Sequence, residues 1–280
     1  VFSPNALTTA PATFNIGFPL DLIVNQARDG GQALWGTRLQ GPKQYLDSSS
    51  TAAEVTAGTA PWAFDKQNDS YAYYTPISVA WNFRRAPGFF DEVAGPYFNG
   101  NLSHNLGVVP ELVIVKQRDG VNGWYVWTTG FTTSQYLFLN STAAIGSALV
   151  WNTMTSTQIG LQNLLPSNTG VYYLFATCPG VSKVGSYTGT GAAQTINCGF
   201  TGGARFVLIK RTDSTGDWYV WDSARGIIPS NDPYLLINST AAEVTGTDYV
   251  DTTNVGFDIT STAPAAINAN GGTFIFLAIA

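Results

Sequence analysis

The reactive inventory of this chain is small: one histidine, two cysteines and 18 Asp or Glu among 280 residues. His104, in Leu102-Ser103-His104-Asn105-Leu106, is the sole imidazole, so any Ser-His-Asp arrangement has to be built on it. An internal repeat puts Phe14 and Cys198 at the matching positions. The scaffold therefore does not need an imidazole there, and His104 reads as an ordinary strand or loop residue. A two-histidine zinc motif is excluded by count. Asp119-Gly120-Val121-Asn122 and Asp213-Ser214-Thr215-Gly216-Asp217 carry oxygen donors in the manner of calcium loops, but the closing glutamate of such a loop is absent. Both read as hairpin turns, whose dihedrals suit Asp, Asn and Gly. Gly189-Thr190-Gly191 and Asn270-Gly271-Gly272 precede no helix and so make poor phosphate cradles. Cys178 and Cys198 could face each other across a domain junction; the expectation is two free, buried thiols. Acidic residues stand mostly singly in turns, so no carboxylate pair for glycoside cleavage can be picked out. The reading is a non-enzyme without metal or cofactor.

Binding chemistry is more plausible. Trp124-Tyr125-Val126-Trp127 and Trp218-Tyr219-Val220-Trp221 are strands in which alternate residues face opposite ways. Trp127 and Trp221 are the candidates for exposure or subunit contact, with Trp124 and Trp218 turned to the core. A segment between Asp222 and Pro233 is longer than its counterpart in the preceding repeat and contains Arg225, Asn231 and Asp232. Variable loops on a rigid scaffold commonly carry binding surfaces, so these three residues are the loop candidates.

Strands and turns must position all of these. Short runs rich in Val, Ile, Tyr, Trp and Phe alternate with Gly, Asn, Asp, Ser and Thr clusters, and no amphipathic helix is evident. Three copies of one unit recur. Tyr45, Tyr136 and Tyr234 each precede a Ser-Thr-Ala-Ala stretch, at Ser50, Ser141 and Ser239. Upstream, Leu22-Ile23-Val24, Leu112 to Lys116 and Phe206 to Lys210 each run toward an Asp. Val79–Phe83, Val171–Phe175 and Phe274–Ala278 close the units, two of them running into Pro87-Gly88 and Pro179-Gly180. The expected architecture is all-β: three tandem β-sandwich (jelly-roll-like) domains over residues 1–88, 89–180 and 181–280. The first shows no opening segment before Phe14, so the chain is expected to begin inside a repeat. The first junction carries Arg84-Arg85 and Asp91-Glu92 where the second has only Lys183, an asymmetry that reads as a contact with a neighbouring protein.

Composition narrows the class. With 13 Lys or Arg and a net charge of −5, the chain lacks the basic face of a nucleic-acid binder. No apolar run is long enough to cross a bilayer as a helix. An apolar fraction of 45% is ample for cores.

Leu174-Phe-Ala-Thr-Cys-Pro-Gly-Val-Ser-Lys-Val-Gly-Ser-Tyr-Thr-Gly-Thr-Gly191, Arg205 through Trp221, Leu236 through Glu243 and Gly271 through Ala280 resemble the tandem β-sandwich module of tailed-bacteriophage tail-fibre-like and other virion surface proteins. Gly107 through Lys116 resembles it too, the first copy only loosely. The resemblance implies an extracellular virion structural protein, a tail fibre or appendage segment that binds a host surface glycan or protein. Fibres of this kind are usually homotrimers that contact other virion proteins, and a trimer would bury surplus aromatics. The alternative is a capsid decoration or head-fibre protein without a receptor role, and a polysaccharide depolymerase is less favoured. The motifs that carry the resemblance mark strands and turns, so no site residue follows from them.

Overall fold

In the computed structural model, residues 1–7, 12–67, 69–72, 77–97, 99–162 and 168–280 are described. Their β-branched and aromatic runs form strands throughout, and the one described helix has four residues. Unit one contributes β1 (Phe2–Leu7), β2 (Ala12–Asn15), β3 (Leu22–Ala27), β4 (Ala33–Thr37), β5 (Gln44–Asp47), β6 (Val55–Thr56), β7 (Asp69–Ala72) and β8 (Ser78–Phe83). Unit two contributes β9 (Phe90–Tyr97), β10 (Gly100–Ser103), β11 (Leu112–Gln117), β12 (Tyr125–Thr128), β13 (Gln135–Phe138), β14 (Gly146–Ser147), β15 (Trp151–Met154), β16 (Gln158–Leu161) and β17 (Asn168–Phe175). Unit three contributes β18 (Ser182–Thr188), β19 (Gln194–Asn197), β20 (Phe206–Arg211), β21 (Trp218–Asp222), β22 (Leu235–Leu236), β23 (Val250–Thr253), β24 (Gly256–Ile259), α1 (Ala265–Asn268) and β25 (Thr273–Ile279).

Each unit is an antiparallel sandwich of one large and one small sheet. The large sheets run β1-β8-β3-β4-β5-β6, β9-β17-β11-β12-β13-β14 and β18-β25-β20-β21-β22, the same order each time. The opening strand lies beside the closing one, and a meander follows. The small sheets are β2-β7, β10-β16-β15 and β19-β24-β23.

Unit one has the opening strand that its sequence hides. β1 pairs with β8 from Phe2↔Phe83 to Leu7↔Ser78, as β9 pairs with β17 and β18 with β25. Its sequence, Phe-Ser-Pro-Asn-Ala-Leu, is polar and proline-bearing, which an edge strand tolerates. The expectation that the first unit lacks this segment is therefore corrected.

The units are not beads on a string. Alternate residues of the large sheets enter one common core. Val24, Ile114 and Leu208 occupy equivalent register positions there, as do Leu46, Leu137 and Leu235. Rings interleave across units: Trp35 lies 5.3 Å from Trp124, Phe83 5.8 Å from Phe175, and Trp81 5.9 Å from Phe206. The opposite faces pack under the small sheets as three separate outer cores. The aromatics for which a trimer would offer cover are thus largely buried within one chain.

The recurring Ser-Thr-Ala-Ala stretches do not open helices. In each, the serine Oγ accepts the N–H two residues on, at 3.1 Å, forming a local turn. Each turn then receives the next unit. Thr51 C=O accepts from Asn122 N–H at 3.0 Å, Thr142 C=O from Gly216 N–H at 2.9 Å, and Thr240 C=O from Gly31 N–H at 2.9 Å. Return bonds run from Glu54, Ile145 and Glu243 N–H to the carbonyls of Arg118, Thr212 and Arg28. The same head-to-tail contact made three times closes a ring with pseudo-threefold symmetry.

Two junctions use one turn. Phe89 N–H bonds to Ala86 C=O and Val181 N–H to Cys178 C=O, with Gly88 and Gly180 at φ 76° and 74°. Proline followed by a positive-φ glycine is the type II arrangement.

Candidate functional site

Both tryptophans singled out for exposure are turned from the central core, as alternation requires, yet the outer sheet covers them. Trp221 is 0% exposed in the outer core of unit three, and Trp127 is half-buried against that of unit two. Exposure is corrected for Trp221 outright and for Trp127 in large part: both faces of the sheet are covered, so leaving one face does not reach solvent.

The 222–233 segment holds the four extra residues of unit three, measured against Thr128–Leu137. Its tip is open, Ile228 to Asn231 being exposed, as is Ser223 at its start, and Asn231 N–H closes the turn on Ile228 C=O. Arg225 is internal, its side chain 0% exposed. Its Nε lies 2.6 Å from Asp222 Oδ2, its Nη1 3.2 Å from Glu243 Oε1, and its Nη2 donates to Val220 C=O. The guanidinium covers the Trp81 ring of unit one at 5.8 Å, and Trp81 Nε1 donates to Asp222 Oδ2 at 2.9 Å. Arg28 of unit one reaches Glu243 at 2.7 Å. Asp232 is buried too, accepting from the Tyr249 and Val250 N–H groups at 2.8 and 2.6 Å. Burial raises its carboxyl to about 6 against those two bonds. Of the loop candidates Asn231 alone is accessible; Arg225 and Asp232 hold the junction and the loop.

The remaining reactive groups are likewise committed. His104 Nδ1 accepts the Leu106 N–H at 3.2 Å while Nε2 faces Thr155 C=O at 3.1 Å, the pattern of a neutral ring, and burial lowers its pKa. Phe14 and Cys198, at the matching repeat positions, pack against or within outer cores, and His104 is buried. Both thiols are free; Cys198 is buried, which pushes it up to about 12, whereas Cys178, expected to be buried, is half-buried. Asp119 and Asp213 cap the N–H groups of Thr169 and Thr273 at 2.8 and 3.0 Å. No metal-binding group of three or more ligands occurs among the described residues. Lys116 and Lys210 are fully buried at the unit seams, donating to the carbonyls of Thr51 and Thr142. Desolvation lowers both to about 8. At the third seam Gln26 takes that place, its amide donating to Leu236 and Ser239 C=O.

A cleft of about 600 Å³ lies at the junction of units one and two. Arg38, Arg85 and Asp21 form its back. Asp21 accepts from Arg38 Nε at 3.1 Å and from the Arg85 N–H at 2.8 Å, with Arg85 Nε at 3.5 Å. Arg38 also donates to Leu20 and Phe64 C=O. Asp91 is buried and accepts the Asn105 N–H at 2.7 Å. At the mouth, Arg84 and Lys66 are exposed and have no side-chain partner among the described residues. A second cleft of about 520 Å³, walled by Pro42, Ala60, Trp62 and Ala63, adjoins it through Arg38, Phe64 and Asp65.

The repeat supplies an internal control. In unit two the counterparts of Arg38, Arg84 and Arg85 are Thr129, Ala176 and Thr177. There Thr177 bonds to Glu111 as Arg85 bonds to Asp21, and Ala176 is simply buried. The arginines are additions that the fold does without elsewhere. The Arg84-Arg85 doublet marked the place in the sequence; Lys66 and Arg38 carried no signal, because only folding brings them there.

Glu92, behind this junction, is 2% exposed, and neither carboxyl oxygen has a partner among the described residues. Desolvation first, and the nearby Asp21 charge second, hold its pKa well above the ordinary range. Val184 fills the same register position in unit three. A carboxyl raised on folding contributes stability present below its unfolded pKa and lost as pH rises through the folded one. Glu92→Val is therefore expected to stabilise the chain at neutral and alkaline pH. Its advantage over wild type should widen by up to about 1.4 kcal/mol per pH unit above the usual glutamate range. Urea titrations at pH 4, 6 and 8 check this; a pH-independent difference contradicts it.

No curated protein matches the chain. A family described as a domain of unknown function, DUF7483, matches residues 90–280, which are units two and three of the ring. The chain belongs to the DUF7483 family.

Proposed function

We propose that this chain is a non-enzymatic structural protein of a tailed-bacteriophage particle, a tail-fibre or appendage segment that holds to the host cell surface. What supports the reading is the resemblance of strand-and-turn stretches between Leu174 and Ala280 to modules of virion surface proteins, together with the repeated all-β units. The geometry supports a display role. Its buried charges at the seams and in the 222–233 loop join and hold structure, while a junction cleft and a loop tip present open polar groups. A rigid closed ring keeps such surface groups in fixed positions without the ordering cost of a mobile loop. The aromatic core closes within one chain, so in this reading the homotrimer expected of such fibres joins through outer surfaces and is presented by other virion proteins.

The test is a pull-down of the fluorescently labelled chain on intact host cells, with its mass measured by light scattering. Saturable binding by a species of three-chain mass supports the reading. A folded chain that ignores host cells moves the role to capsid decoration, and a single-chain mass removes the homotrimer. Cleared capsule around the applied protein would revive a depolymerase.

A further inference from the structure

We infer that the cleft between units one and two binds an anionic saccharide, a sugar chain bearing carboxylate or phosphate groups, with Arg84 and Lys66 meeting the anion. The inference deepens the host-surface reading and rests on it for the source of the sugar.

The charge count inside the cleft favours an anion. Two of its three carboxylates are withdrawn: Asp21 is buried under Arg38 and Arg85, and Asp91 is buried on the Asn105 N–H. Asp65 alone remains open, against Arg84, Lys66 and the outer part of Arg85. A chain of net charge −5 thus concentrates uncommitted cations at one junction. Charge-assisted bonds from guanidinium and ammonium to carboxylate or phosphate are the strong ones, and Arg offers a fork that matches either.

The shape and polarity favour a sugar over a small inorganic ion. The cleft is far larger than one phosphate and continues past Phe64 into the apolar cleft beside Trp62. Gln67 and Asn105 add amide groups along its wall. An extended ligand with hydroxyl groups, apolar ring faces and spaced negative charges meets these features in turn. The unit-two counterparts show that no scaffold requirement put the arginines there: Thr129, Ala176 and Thr177 serve the same backbone positions.

The experiment titrates the full chain, by calorimetry at low salt, with a glucuronate-containing hexasaccharide, a sugar-phosphate oligomer of similar length and neutral maltohexaose. At least one anionic probe is expected to bind, more weakly as salt is raised, and the neutral one not at all. Which anionic probe binds identifies the acid group. Arg84→Glu combined with Lys66→Glu should weaken that binding roughly tenfold or more. Both residues are exposed and without described partners, so the thermal midpoint should stay close to wild type. Lys183→Glu, at the second junction, should bind as wild type does. Failure of both anionic probes, equal binding of maltohexaose, or unchanged binding by the double variant overturns the cleft assignment. The host-cell pull-down is read separately. Cell binding that survives the double variant removes the cleft and leaves host attachment standing. Binding of the acidic sugar by a chain that ignores host cells removes attachment and leaves the cleft.

Discussion

Trp124→Ala is expected to lower stability by about 3–5 kcal/mol and to do so for all three units together. The indole of Trp124 is fully buried in the shared core, 5.3 Å from Trp35 of unit one and 6.3 Å from Tyr173 of its own unit. Its Nε1 donates across the seam to the carbonyls of Asp47 and Ser50, at 3.1 and 3.2 Å. Truncation opens a cavity, and it also leaves two carbonyls of the neighbouring unit without that donor. Trp218 makes the equivalent bond at the next seam, to Phe138 C=O at 2.9 Å. Every large sheet buries one face only against the other two, and the loss is therefore felt by the whole ring. Urea denaturation followed by tryptophan fluorescence and far-ultraviolet circular dichroism is expected to give coincident transitions in wild type and variant, with the variant's midpoint shifted down. Separate transitions, or a change below about 1 kcal/mol, would show that the units fold independently.

Arg225→Ala is expected to destabilise by a similar amount, about 3–5 kcal/mol, without altering surface binding. Removing the guanidinium takes the counter-charge from Asp222, which is 0% exposed and keeps only the Trp81 indole and the Ala224 and Arg225 N–H groups, and takes one partner from Glu243. It also uncovers the Trp81 ring, whose own Nε1 is held by Asp222. A buried carboxylate without its counter-charge is costlier than an intact pair. Arg225→Lys keeps the charge and loses the fork, so it should fall between wild type and alanine. Chemical denaturation of the three proteins, with cell or sugar binding measured on those that remain folded, is the check. A stable Arg225→Ala chain with lost binding would return Arg225 to the role its loop position first implied.

The contrast between Arg225 and Arg84 shows where reading the sequence ends. Arg225 lies in a loop that lengthens between the second and third repeats, a reasonable place for recognition. Its true partners are Asp222, three residues away, and Trp81, in another unit. The junction doublet Arg84-Arg85 was visible as an asymmetry, but its use depends on Lys66, Arg38 and Phe64 closing around it. The Trp-Tyr-Val-Trp strands repeat the lesson. Alternation correctly put Trp124 and Trp127 on opposite faces, yet could not say that both faces would be covered. In an exposed sheet the two faces differ in polarity; here both are apolar, so the pattern carries no inside or outside.

What the sequence by itself determined is local and periodic. It specified strands and turns, the three copies, the Tyr-to-Ser spacing, the hairpin aspartates and the shortage of catalytic groups, since each depends on backbone preference or on residues near in the chain. Only the tertiary structure decided that three sandwiches share one core, that Phe2–Leu7 is an opening strand, that Arg225 is internal and that a cationic cleft lies at the first junction. Those outcomes follow from closing the ring. Closure joins groups as distant as Trp81 and Asp222, 141 residues apart, and no window of the sequence spans such a contact.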